Sequence, residues 1–134
     1  MSVLDDIAAR IATAISGTVG TDVFKGRLPN EPNVCVAVFE YGGRASEHGF
    51  GVVTKVQHEH PSVQVLVRGE PQDYETPRAT ADAIRNSLAQ VQATLLNGVL
   101  YLMITPLQSP FLFRRDENER VIIACNYSCD KEPS

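Results

Sequence analysis

The sequence predicts an α+β fold, with two helices packed on a largely antiparallel or mixed sheet of about five strands. Three observations carry this. Two segments place apolar residues three and four apart, the spacing of a helix with one buried face. Several others alternate apolar residues with a period of two, as strands do. Gly, Pro and Asn clusters punctuate both kinds. At 134 residues, with 43% hydrophobic and 21% charged side chains, the chain reads as one domain over 1–134 with a flexible tail over about 131–134. Such a composition needs no metal or disulfide staple.

The first helix opens at Ser2, with Asp5 three residues on as a capping partner and Asp5 and Asp6 at the positive end of the helix dipole. Leu4, Ile7, Ala8, Ile11, Ala12 and Ile15 form its apolar stripe, and Gly17 ends it. A short strand is expected around Val23–Phe24. The stretch 26–33 holds two prolines and cannot enter a sheet interior. Val34–Tyr41 is a strand apolar on both faces, which suggests a central strand or one covered by a helix or a partner, and Gly42-Gly43 ends it.

Residues 44–61 carry no clear period, with a short strand or loop segment over Phe50–Val56 and exposed turn positions at His58 and His60. Ser62–Arg68 is a half-buried strand, with Val63, Val65 and Val67 on one face. Thr76 as cap and Pro77 in the first turn start a second helix, expected over 77–94, with Ala81, Ile84, Leu88, Val91 and Leu95 buried. Asn97-Gly98 stops it. Strands follow at Val99–Thr105, Phe111–Arg115 and Arg120–Asp130, the last two forming a hairpin around a polar turn.

No residue pattern signals catalysis. His58-Glu59-His60 would put two imidazoles on one strand face, but zinc wants three or four ligands and no third is identifiable; His48 lies in the unclear region. Cys35 sits in an apolar strand, and Cys35, Cys125 and Cys129 read as reduced packing groups. Neither a G-x-S-x-G elbow nor a phosphate-binding glycine loop occurs. No enzyme activity and no cofactor or metal is therefore expected. The net charge of -4 and the lack of a basic stripe argue against specific nucleic-acid binding and against an anionic membrane surface. Two Asp precede any basic residue, unlike a secretory signal, so synthesis in a cytoplasm is expected.

The ordered set of features resembles the tail terminator, tail-completion or minor capsid proteins of tailed bacteriophages. The pieces are the N-terminal helix followed by Val23-Phe24-Lys25-Gly26-Arg27-Leu28-Pro29, the Pro32–Tyr41 strand with Gly42-Gly43, and Ser62-Val63-Gln64-Val65-Leu66-Val67-Arg68-Gly69. Tyr74 and the helix through Ala79, Ala83, Ile84 and Leu88 come next, then Arg115-Asp116-Glu117-Asn118-Glu119-Arg120 before Asn126-Tyr127. The turn in such proteins often reads D-E-N-G-R. Glu119 stands where the Gly would be, which points to a turn of different type.

The resemblance implies a structural protein of the virion tail, at the head–tail junction. It implies a homo-hexameric ring that caps the tube, ends its polymerisation and meets the head connector or stopper protein. DNA would pass through the lumen without specific binding. The mixed-charge segment 114–120 reads either as a solvated turn or as a rim of charge pairs between subunits, and Arg68 has the same two readings. Exposed-strand logic puts the inter-subunit surface on Phe39, Tyr41, Arg68 and the 111–120 hairpin, with Phe111, Arg115, Asp116 and Arg120 as its main residues. The rival readings are another connector or tube subunit, and a small intracellular protein-binding module unrelated to phage.

Overall fold

A computed structural model describes residues 2–48 and 56–132. In chain order the elements are α1 (Val3–Ile15), β1 (Val23–Lys25), β2 (Cys35–His48), β3 (Val56–Pro71), α2 (Glu75–Ala89), β4 (Gln92–Leu96), β5 (Val99–Pro106), β6 (Phe111–Arg115) and β7 (Arg120–Lys131). The strands form one sheet in the order β1-β2-β3-β7-β5-β4. β6 also pairs with β7, along the half that β5 leaves free. Among the described strands, only β1 and β2 pair in parallel. The predicted architecture of two helices on a mixed, largely antiparallel sheet holds, with seven strands among the described residues in place of about five.

Both helices cover one face. Ile7 and Ile11 of α1 and Ile84 and Leu88 of α2 pack with Val36, Val38, Val63, Val65, Val67, Val121, Ile123 and Tyr127 in one buried cluster. The period-2 alternation of β2, β3 and β7 sends these residues to the helix side. Removing most of one such side chain, as in Ile11→Ala, costs about 2–5 kcal/mol. The opposite, uncovered face carries a smaller cluster of Leu66, Ile122 and Ala124, with Leu28 and Phe39 packed against it.

The N-terminal capping box is present: the Asp5 N–H donates to Ser2 Oγ at 3.3 Å and the Ser2 N–H to Asp5 Oδ2 at 2.9 Å. α1 closes at Ser16, which takes the left-handed conformation at φ 57°, so Gly17 is not the residue that makes the turn.

Several expectations need correction. α2 ends at Ala89, and the segment expected to continue it is strand β4, which leaves Leu95 68% exposed instead of buried. Asn97 (φ 50°) and Gly98 (φ 82°) form a two-residue hairpin turn, with Leu96 opposite Val99. Tyr74, not Thr76, caps α2, and Asp73 Oδ1 accepts from the Thr76 N–H at 3.2 Å. The unclear region resolves into long arms of β2 and β3, paired as far as His48 and Val56; most of the expected Phe50–Val56 segment lies outside the described residues. His60 is a buried strand residue with Asp130 Oδ1 at 3.7 Å, not an exposed turn position. Lys131 belongs to β7 and is buried against Tyr101 and Glu59 rather than frayed.

Candidate assembly surface

The sequence-predicted surface residues fall into two groups. Arg68 and Arg120 are only 3% and 4% exposed. Both lie on the uncovered face, where they hold the proline-bearing segment 29–33 against the sheet. Arg68 donates from Nη2 to the carbonyls of Pro29 (2.6 Å) and Pro32 (2.7 Å) and from Nε to that of Asn33 (3.0 Å). Arg120 donates to the Asn30 carbonyl at 2.6 Å and to the side-chain oxygens of Asn30 and Asn33. A segment with two prolines cannot join a ladder, so side-chain donors satisfy its carbonyls instead. Within the chain these two arginines are internal pins, buried rather than exposed.

Asp116 is half-buried and engaged in the same structure. Its Oδ2 accepts from Arg120 Nε at 2.7 Å, and its Oδ1 accepts from the Asn118 and Arg120 N–H groups. Burial works against its charge, but these donors outweigh it and lower its pKa. Glu119 closes the turn at φ 62°, the left-handed conformation glycine prefers, so the turn keeps the shape expected of the D-E-N-G-R form.

The second group stays open. Tyr41 is exposed and Phe39 half-buried at the outer side of β2. They line a shallow depression of about 410 Å³ with Glu40, Gln64 and Asn126. On the far side of the sheet every residue of β6 is exposed, including Phe111, Leu112, Phe113 and Arg115. Leu112 and Phe113 lie within the hairpin that the sequence marks, in an apolar run beside a highly charged turn. The backbone of β6 bonds only to β7, and among the described residues no strand pairs with its other edge. Three contiguous large apolar side chains on an unpaired edge are an unusual exposure for a solitary protein.

Among the described residues, no group of three or more His, Cys, Asp or Glu side chains is placed to hold a metal. All three cysteines are free and buried, and burial pushes the Cys129 thiol up to about 12. Among the described residues, no helix is long and apolar enough to cross a membrane.

Comparison with solved structures gives the same fold elsewhere. A chain from the virion of a native gene transfer agent particle matches at TM-score 0.68 and 15% identity, over 98% of this chain and 96% of that one. A second structure, of a protein known by a sequence identifier alone, matches at TM-score 0.54 and 16% identity, over 97% of each chain. No curated protein matches in sequence. The model of the bacteriophage tail terminator protein family matches residues 10–133, nearly the whole length, and the chain belongs to that family.

Proposed function

We propose that this chain forms a homo-hexameric ring on the head-proximal end of a phage tail tube. There it ends tube polymerisation and offers the surface on which the head connector docks. Membership of the tail terminator family gives the chain a structural role in the virion tail. The observation that supports a ring is the pair of open surfaces on opposite sides of the sheet, Phe39–Tyr41 and Phe111–Arg115. Unlike surfaces on one protomer are what a head-to-tail contact uses, and such contacts give rings when the rotation between copies closes. One ring face meets the last tube ring and the other the connector or stopper. DNA passes through the lumen, and a chain of net charge -4 does not grip its phosphates.

The test is tube assembly from purified tube protein with and without this chain. Tubes that stop at shorter, uniform lengths when it is added agree with the proposal. Tubes that lengthen unchanged, or that incorporate the chain along their length, refute it.

A further inference from the structure

We infer that the ring is built by strand pairing between copies, the outer edge of β6 in one protomer running antiparallel to the outer edge of β2 in the next. This rests on the ring reading above and names its contact. The polarity follows from the topology. β2, β3, β7 and β6 form an unbroken antiparallel run, so β2 and β6 point in opposite directions. Rotation about a ring axis preserves strand direction, so the β2 of a neighbour meets β6 antiparallel. Both edges are open. β1 covers β2 only as far as Val38, and among the described residues no strand lies outside Glu40 or Tyr41.

The side chains match in face and charge. Glu40 is opposite Val63 and Arg115 opposite Val121, and both of those valines belong to the core under the helices. Glu40 and Arg115 therefore share the helix side of the sheet. Arg114 is opposite Ile122 and so lies on the other side, as does Tyr41, opposite Ser62 in the row of Ser128. A register that sets Glu40 against Arg115 sets Tyr41 against Arg114. One pair is opposite charges and the other a cation over an aromatic ring. Phe113 and Leu112 then lie along the junction, where pairing removes them from water.

The stagger is also that of a closed sheet. Arg114 shares a row with Ile122, Arg68 and Cys35, and Tyr41 is six residues beyond Cys35 along β2. At ~3.3 Å per residue and ~4.8 Å per strand, that offset across four strands inclines them by roughly 45°, at the upper end of the tilt that closed sheets adopt.

Paired cysteines test this in the full chain. Glu40→Cys with Arg115→Cys should, on mild oxidation, give a ladder of covalent oligomers ending in one closed species, several-fold above the control pair Glu40→Cys with Glu75→Cys. The native thiols are buried and do not compete. A pair-specific ladder that grows without closing upholds the strand contact and sinks the ring. Crosslinking no greater than the control overturns the inference. If native mass spectrometry of the wild-type chain then shows hexamers, the ring survives with a different contact. If it shows none, both fall. As a second variant set, Glu40→Arg and Arg115→Glu should each weaken association about tenfold, with the double exchange restoring most of it. Singles that associate like wild type overturn the proposed register.

Discussion

Tyr101 donates its phenolic hydrogen to Asp6, with the hydroxyl oxygen 2.6 Å from Oδ2, across 95 residues of chain. Both are buried, and Asn97 Nδ2 donates to the other carboxylate oxygen at 2.8 Å. Burial, then the Asp6 hydrogen bond, raises the Tyr101 pKa. This pair ties α1 to β5 and fixes the helix layer on its sheet. Tyr101→Phe removes one donor from a buried carboxylate and is expected to cost about 1–3 kcal/mol, read from urea unfolding. A change below about 0.5 kcal/mol would show that the pair does not anchor the layer.

Acid stability has a separate local source. The Lys25 ammonium hydrogen-bonds Asp5 and, with the Ser2 backbone, lowers that carboxyl from 3.8 to about 2. A carboxylate with a depressed folded-state pKa contributes stability that is fully present above its unfolded value and lost as pH falls through the folded value. The affected window therefore runs from about pH 4 down to about pH 2. Lys25→Met is expected to lower stability above about pH 4 and leave it unchanged below about pH 2, so that the variant loses less stability than the wild type on acidification through that window. Circular dichroism against pH checks this.

The arginine pins predict a regional effect. Arg68→Met removes three charge-assisted hydrogen bonds to carbonyls and leaves those acceptors under a buried side chain. The expected cost is roughly 2–4 kcal/mol. Limited proteolysis should cut first within 26–34. Cutting elsewhere first would mean that another contact holds the segment.

Glu119 predicts a gain. A non-glycine residue at φ 62° bears a strain that glycine does not. Glu119→Gly is expected to raise stability by up to about 1 kcal/mol in thermal unfolding with an unchanged structure. A loss of stability would show that the Glu119 side chain does something the backbone geometry does not reveal.

The sequence showed most of this fold because its periods are strong. Ile7 and Ile11, Ile84 and Leu88, and the valines of β3 and β7 appear in the core where the spacing put them. The second helix was overextended for a physical reason. Leu88, Val91 and Leu95 continue a spacing of three and four, yet Asn97-Gly98 between alternating residues is the turn of a two-residue hairpin and demanded a strand before it. The exposure of the candidate surface residues was half legible. Apolar alternation on both faces of β2 marked Phe39 and Tyr41. The burial of Arg68 and Arg120 depends on carbonyls 35 to 90 residues away, a pairing that no local pattern encodes.

A ring of this chain at one end of the tail has a location that can be seen. Electron microscopy of purified, connector-free tails after adding gold-labelled chain tests it most directly. Label confined to the head-proximal end of each tail is expected. Label spread along the tube, at the distal tip, or absent from intact tails would contradict it.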